Sequence, residues 1–172
     1  MERNVTIVKD LNGKNIVLIN DIYFMGRQNI EWREVEQYLK QYVGEFIENA
    51  ESKDVIYIGK DLSDEYAYSA HTRKLKGTYA KAKANAVQGI PELIEIAINK
   101  RFKENLAKKH KGDAKYGWYR YDSRFALPVY DNKGEVVRYN VFNVVLIVRH
   151  ASSGKMYLYD VIQIKKEAGK PL

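Results

Sequence analysis

The sequence contains no cysteine, only three prolines and no apolar run long enough to cross a membrane. The absence of cysteine excludes disulfides, thiolate metal sites and cysteine nucleophiles, and it fits a reducing compartment. A transmembrane helix needs about 20 apolar residues, so we expect no membrane partner. The first residues are charged and lack the apolar core of a signal peptide. These absences together predict a cytoplasmic protein.

Recognisable cofactor and hydrolase motifs are also missing. The three histidines, His71, His110 and His150, fall on separate predicted elements, and no HExxH or similar metal-ligand spacing occurs. The glycines form neither a GxxxxGKS or GxxxxGKT loop nor a GxGxxG turn, and there is no GxSxG nucleophile elbow. The sequence therefore predicts no metal and no nucleotide or other cofactor, and it argues against zinc and serine hydrolysis.

Positive charge is concentrated in one part of the chain. The formal net charge is +7, and residues 70–120, with 13 Lys/Arg and 4 Asp/Glu, carry all of the excess. Clustered cations are typical of proteins that bind a polyanion, and we expect nucleic acid, RNA in particular. A solvated basic face without a partner is the alternative. No acidic residue lies between Glu65 and Glu92, where the cations are Arg73, Lys74, Lys76, Lys81 and Lys83.

The N-terminal third predicts a ββαβ unit. Residues 4–9 and 15–20 are short β-branched runs on either side of Asn12-Gly13, a strong hairpin signal. Apolar residues then recur at helical spacing from residue 35 to residue 47, and residues 54–58 resemble a strand. We expect residues 1–59 to form an N-terminal subdomain, or else to continue into the rest of one domain.

Residues 60–172 predict helices followed by an antiparallel sheet. The polar segment 60–77 is rich in turn formers, so we expect a loop there, with helices over 78–88 and about 91–108. Strand patterns separated by tight turns predict an antiparallel meander, and the expected fold class of the whole chain is α+β. These patterns cover residues 115–121, 124–130, 136–148 and 155–165.

Metal-independent RNA cleavage is a chemistry that needs none of the missing cofactors. The ribose 2′-hydroxyl attacks the adjacent phosphorus, while a base takes its proton and an acid protonates the leaving 5′-oxygen. Histidine can serve in either role near neutral pH, and Lys or Arg stabilises the developing charge. Residues of these types occur at a predicted helix entrance, in an aromatic segment and at a strand end. They are His71, Thr72, Arg73 and Lys74, then Tyr119, Arg120 and Arg124, then Arg149 and His150.

The aromatic segment 116–124 alternates rings with cations. On a strand, Trp118 and Arg120 share one face, whereas Tyr119 and Tyr121 share the other. Exposed rings of this kind stack bases while arginine holds phosphate. The alternative is that Trp118 and half of the tyrosines belong to the core. His110 lies in the charge run KKHKGD, where we expect it to be solvated.

Several short motifs resemble domains of phage and mobile-element polyvalent proteins. They are GIPELIE at 89–95, ALPVY at 126–130, RYN at 138–140, RH at 149–150, GKMYLYD at 154–160 and IKKE at 164–167. Those domains are similar to the barnase–EndoU–colicin–RelE-like nuclease group, and the resemblance covers about residues 55–167. It implies a helical unit packed on an antiparallel sheet that cleaves RNA without metal.

The resemblance further implies that active residues come from the helix entrance and from the sheet face. Carried onto this chain, it implies catalytic roles for His71, Arg120 and His150. Substrate-binding residues are expected around them. These are Thr72, Arg73, Lys74, Lys76, Lys81, Lys83, Tyr119, Arg124 and Arg149.

Three functions follow as hypotheses. The first is a metal-independent endoribonuclease of a phage or mobile element that acts on host or guide RNA in the bacterial cytoplasm. The second is a non-catalytic RNA-binding module, or an inhibitor that docks onto a host ribonucleoprotein such as a CRISPR effector. The third is a structural or assembly protein of a phage particle.

Overall fold

The Asn12-Gly13 hairpin forms as the sequence predicts. The computed structural model describes residues 3–25, 29–104 and 114–167. Strands β1 (Val5–Lys9) and β2 (Asn15–Ile19) pair antiparallel on either side of the turn. Gly13 has a φ of 78°, a left-handed conformation that glycine adopts without steric cost.

The N-terminal helix is shorter than its apolar spacing indicates. Helix α1 runs over Trp32–Leu39 and continues as a 3₁₀ turn over Lys40–Tyr42. The predicted extension to residue 47 is wrong, because Gly44 takes a left-handed φ of 94° that ends the helical path. The chain then forms β3 (Phe46–Glu48), which pairs antiparallel with β4 (Val55–Tyr57).

Residues 60–77 contain two short helices where the sequence predicts a loop, so that prediction is wrong. They are α2 (Leu62–Tyr68) and α3 (Ala70–Arg73). The Ser69 hydroxyl caps α3 by accepting a hydrogen bond from the backbone N–H of Thr72 at 3.2 Å. Tyr66 is fully buried, and its packing stabilises the two helices even though the polar composition of this segment predicts a loop.

The next helix matches its prediction, but the one after it does not. Helix α4 spans Gly77–Ala86, and a 3₁₀ turn leads into α5, which spans only Ile90–Ile96. The predicted continuation to residue 108 is wrong, because strand β5 (Ile98–Lys103) follows instead. The Asn49 side-chain amide donates to the carbonyl oxygens of Ile94 and Ala97, both at 2.8 Å, and so caps the helix end. Residues 105–113, including His110, lie outside the described residues.

The C-terminal antiparallel meander is confirmed. It consists of β6 (Trp118–Tyr130), β7 (Val136–His150) and β8 (Met156–Lys166). The two strands predicted on either side of residue 123 form one continuous strand. Ser123 keeps the register by pairing with Val144, and its hydroxyl donates to the Leu93 carbonyl oxygen at 2.9 Å.

The eight strands within the described residues belong to one mixed sheet. Its order is β1-β2-β6-β7-β8-β4-β3, and β5 also pairs with β6. Because β2 runs parallel to β6 and β4 runs parallel to β8, the N-terminal third flanks the meander on both sides. The predicted α+β class is confirmed. Of the helices in the described ranges, none is long and apolar enough to span a membrane.

The two faces of the sheet differ in what covers them. Tyr121, Phe125 and Phe142 point to the inner face, where they share one buried cluster with side chains of the helices. The outer face has a smaller cluster around Ile16, Ala126 and Val141, to which only strand residues contribute. The alternation predicted for β6 holds, since Trp118 and Arg120 lie on the outer face and Tyr119 lies on the inner face.

Candidate nucleic-acid interface

Six side chains follow one another across the outer face, one from each of six neighbouring strands, and we call them the cross-strand row. Each is the direct Cα partner of the next: Lys103 with Trp118, Trp118 with Arg149, Arg149 with Tyr157, Tyr157 with Tyr57, and Tyr57 with Phe46. Directly paired residues project from the same face of a sheet. Six strands at about 4.8 Å spacing give the row a length of about 24 Å.

Neighbouring rings contact one another at the Phe46 end of this row, and a cation lies over each of two of them. The ring of Phe46 lies 5.6 Å from that of Tyr57, which lies 5.9 Å from that of Tyr157. The Arg149 guanidinium lies 4.4 Å from the Tyr157 ring centroid, and the Lys155 ammonium lies 4.9 Å from that of Tyr57. These distances are within the cation–π range. The Phe46 end of the row is therefore a series of three mutually tilted rings with a cation beside two of them.

The ends of the row are open to solvent. Phe46 is 65% exposed, an unusual fraction for a phenylalanine in a strand, and Lys103 is exposed at the opposite end. Between them, Trp118, Arg149 and both tyrosines are half-buried. Arg149 also lies 3.8 Å from the Asp61 carboxylate. An exposed terminal ring offers a free π-face to a flat ligand.

A second line of rings lies on the inner face at the same end of β6, and we call it the rim. The rings of Phe102 and Tyr119 are 5.4 Å apart, those of Tyr119 and His150 are 5.9 Å apart, and those of His150 and Tyr116 are 5.2 Å apart. Phe102 is 59% exposed and Tyr116 is 49% exposed. The rim thus also ends in solvent-accessible rings, with a histidine in its interior.

His150 is held in place by its backbone. Its N–H donates to the Gly117 carbonyl oxygen at 3.0 Å, and its own carbonyl accepts from the Tyr116 N–H at 3.1 Å. On the ring, Nε2 lies 3.1 Å from the Gly154 carbonyl oxygen. The Nδ1 atom is buried and has no hydrogen-bond partner among the described residues. A buried nitrogen without a partner is costly and calls for an explanation.

Lysines accompany the rim as they do the row. The Lys115 ammonium lies 5.6 Å from the Tyr116 ring, and the Lys100 ammonium lies 4.4 Å from the Tyr119 ring and 2.8 Å from the Asp54 carboxylate. Burial opposes ionisation of Asp54, but hydrogen bonds from Lys100, Tyr121 and Ser52 outweigh it and lower the pKa of that carboxyl group. Burial and the bond to Asp54 raise the pKa of Tyr121. Lys100, Asp54 and Tyr121 thus form a hydrogen-bonded network beside the Tyr119 ring of the rim.

The predicted helix-entrance residues divide into a buried pair and an exposed group. Thr72 and Lys83 are buried, and the Lys83 ammonium contacts the Asp160 carboxylate at 2.8 Å and the Thr72 hydroxyl at 2.5 Å. Ser69 and the Val161 N–H also donate to that carboxylate. Burial lowers the pKa of Lys83 and raises that of Asp160. This network joins α3 and α4 to β8.

The exposed group is His71, Arg73, Lys74 and Lys76, with Lys81 half-buried. Within the described ranges, none of these cations forms an ion pair with a carboxylate. Lys81 lines a cleft of about 780 Å³ near Tyr23 and Tyr130. That cleft lies at the opposite end of β6 from the row, about 40 Å along a 13-residue strand.

The three predicted catalytic residues lie on different parts of the molecule. His71 is on α3, Arg120 projects from the outer face, and His150 is on the inner side in the rim. No hydrogen bond, ion pair or ring contact joins any two of them in the part of the chain that the structure describes. Their convergence into one site stays a prediction.

The remaining predicted residues have varied surroundings. Arg124 binds the carboxylates of Asp10 and Glu167, both at 2.9 Å, and so ties the first hairpin to the end of β8. Tyr119 and Arg149 belong to the rim and to the row. Phe46, Tyr57 and Tyr157 were not among the predicted site residues, because their alignment depends on pairing between distant strands that no local sequence pattern reveals.

Neither a family model, nor a curated protein, nor a solved structure matches this chain.

Proposed function

We propose that this protein binds single-stranded nucleic acid, RNA in particular, on the outer face of its sheet. The cross-strand row supports this proposal. It lines up four aromatic rings with two cations over about 24 Å of one sheet face. Sequence-tolerant binding of single strands combines these two elements, rings that stack bases and cations that follow the backbone.

Charge favours a nucleic acid over an apolar partner, and the exposed rings favour a single strand over a duplex. The side chains next to the rings are Lys103, Arg149 and Lys155, and the chain as a whole carries a net charge of +7. A duplex keeps its bases stacked on one another, so exposed rings gain base contacts mainly from a single strand. The resemblance to a nuclease group that acts on RNA selects RNA as the first ligand to test.

The competing explanation is that the row only stabilises the sheet. Cross-strand aromatic pairs contribute about 0.2–1 kcal/mol each to sheet stability without any ligand. The two explanations differ at Phe46, because its exposed ring contributes little burial to the fold while offering the largest free surface to a base.

Fluorescence anisotropy with a labelled single-stranded RNA of about 8 nucleotides, within the usual range of site sizes, tests the proposal. Loss of one base–ring contact costs about 1–3 kcal/mol, so Phe46→Ala and Tyr57→Ala should each raise the Kd by about 5- to 150-fold. Tyr68→Ala is the matched control, since Tyr68 is an exposed ring that hydrogen-bonds Glu36 on α1. Unchanged affinity in both row variants would contradict the proposal.

A metal-independent ribonuclease activity is the second candidate, and the position of His150 favours it. Its Nδ1 has no partner in the described part of the chain, and its ring lies between Tyr119 and Tyr116. An imidazole can take the proton of a ribose 2′-hydroxyl, once that hydroxyl reaches Nδ1, which is buried in the free protein. By the sequence resemblance, such an enzyme would act on host or guide RNA during conflict between a phage or mobile element and its host.

Incubation of the protein with RNA in the presence of EDTA tests this second candidate. Wild-type protein should generate products with 2′,3′-cyclic phosphate ends, and His150→Ala should reduce the rate by about 10²- to 10⁴-fold. His71→Ala in parallel shows whether the exposed helix-entrance histidine takes part. RNA that stays intact with wild-type protein while binding is measurable would leave binding as the function.

A further inference from the structure

We propose that a strand bound on the cross-strand row continues around the β5 edge of the sheet and stacks on the rim. This inference depends on the proposed function. It extends the interface from one face of the sheet to both faces, and it adds Phe102 and Tyr116 as base-stacking residues.

Strand β5 provides the connection between the two lines of rings. All six of its residues are exposed, and three of them are cations: Lys100, Arg101 and Lys103. Neighbouring residues in a strand point to opposite faces, so Lys103 joins the row on the outer face while Phe102 joins the rim on the inner face. Lys100 is paired with the Asp54 carboxylate at 2.8 Å and Arg101 with that of Asp122 at 2.9 Å, whereas Lys103 forms no ion pair among the described residues. A backbone that passes around this edge therefore meets uncompensated positive charge at Lys103.

The rim, like the row, combines aromatic rings with nearby cations. Its outermost rings, Phe102 and Tyr116, are 59% and 49% exposed, and the ammonium groups of Lys100 and Lys115 lie within cation–π range of neighbouring rings. Two lines of rings with cations beside them, on opposite faces of one exposed edge strand, favour a ligand that is both flexible and anionic. A single-stranded nucleic acid has both properties, whereas a duplex is too stiff to turn around one strand.

Gly117 positions the outermost ring of the rim. It has a φ of 93°, and a Cβ atom at this position would lie 2.5 Å from Cε2 of Phe102. Only glycine allows the Phe102 ring to lie against the backbone here, beside the carbonyl that accepts the His150 N–H. The position of the Phe102 ring in the rim therefore depends on Gly117, which has no side chain of its own to contact a ligand.

Anisotropy titrations with single-stranded RNAs of two lengths, about 6 and about 12 nucleotides, test the inference. The wild-type protein should bind the longer RNA at least about fivefold more tightly than the statistical gain from its additional registers. Phe102→Ala and Tyr116→Ala should abolish that advantage and leave the short RNA unchanged. Tyr68→Ala should change neither affinity.

The outcomes separate this inference from the proposed function. If the short RNA binds and the longer RNA shows no advantage, the continuation onto the rim is wrong while the row stands. If neither RNA binds, the proposed function is wrong and the inference with it. Circular dichroism spectra that match the wild type confirm that the variants fold, as expected for substitutions at exposed rings.

Discussion

Replacement of Lys83 by methionine removes one partner of a buried ion pair and leaves the other in place. Lys83 and Asp160 are each 1% exposed, and they link α4 to β8 over an ammonium–carboxylate distance of 2.8 Å. In Lys83→Met, the Asp160 carboxylate keeps its hydrogen bonds from Ser69 and from the Val161 N–H but has no counter-charge.

The expected loss of stability is large for a single substitution. Removal of one member of a buried ion pair typically costs about 3–5 kcal/mol, because an uncompensated charge stays in a medium of low polarity. This is a large part of the total free energy of unfolding of an ordinary domain, about 5–15 kcal/mol. Replacement of both residues, as in Lys83→Met with Asp160→Leu, removes the charge as well and should restore most of the loss.

The pH dependence of the loss provides an internal check. Burial already raises the pKa of Asp160, and removal of Lys83 raises it further. A carboxyl group with a raised pKa in the folded state favours folding at low pH, and this contribution is lost as pH rises through the folded-state pKa. The deficit of Lys83→Met relative to wild type should therefore be smallest near pH 4 and grow towards neutral pH.

Urea unfolding followed by the fluorescence of Trp32 and Trp118 measures these free energies. A cost below about 1 kcal/mol for Lys83→Met at pH 7, well below the range for a buried pair, would contradict a stabilising role of this ion pair. A double variant as unstable as the single one would contradict it as well.

Three further predictions concern the interface and its support. Gly117→Ala should displace Phe102 and remove the affinity advantage of a long single-stranded RNA while the short one binds as before, as anisotropy can measure. Lys155→Ala, which removes the cation beside the Tyr57 ring, should reduce the slope of log K against log salt by about 0.7 in a salt titration, and Lys133→Ala in a distant turn should not. The pKa of Asp54 is lowered, so the stability that this carboxylate contributes is present at pH values above its ordinary pKa of 3.8 and is lost as pH falls. In an acid unfolding experiment, the free energy of unfolding of Asp54→Asn should therefore change less with pH below about pH 5.

The sequence predicts elements whose signals lie within a few residues of one another. The Asn12-Gly13 hairpin, helix α4 and the three-stranded meander all follow from local turn chemistry and periodicity. In these segments, local preference and tertiary packing favour the same structure.

The failures have long-range causes. Helix α2 appears polar in sequence, yet Tyr66 is fully buried and donates to the Lys83 carbonyl oxygen 17 residues away. The helix expected over 91–108 stops because Asn49, which is 45 residues earlier in the chain, binds the carbonyl of Ile94. Neither contact leaves a trace in the local pattern, since each joins segments that are distant in the chain.

The candidate site is partly predictable for the same reason. The segment from Trp118 to Arg124 and the pair Arg149-His150 stand out as aromatic and cationic in sequence, and the structure places several of these residues in the row and in the rim. Phe46 looks like part of a buried helical stripe until Gly44 ends the helix. The row becomes visible only when the strand register is known, because a shift of one residue would move each ring to the opposite face.

Backbone amide mapping by NMR locates a bound RNA on the surface of the protein. Titration of the isotope-labelled protein with a short single-stranded RNA should shift the amide signals of the cross-strand row most strongly. These belong to Phe46, Tyr57, Lys103, Trp118, Arg149 and Tyr157. Shifts confined to the exposed cations from His71 to Lys81, or to the cleft near Tyr23 and Tyr130, would place the ligand elsewhere and contradict the account.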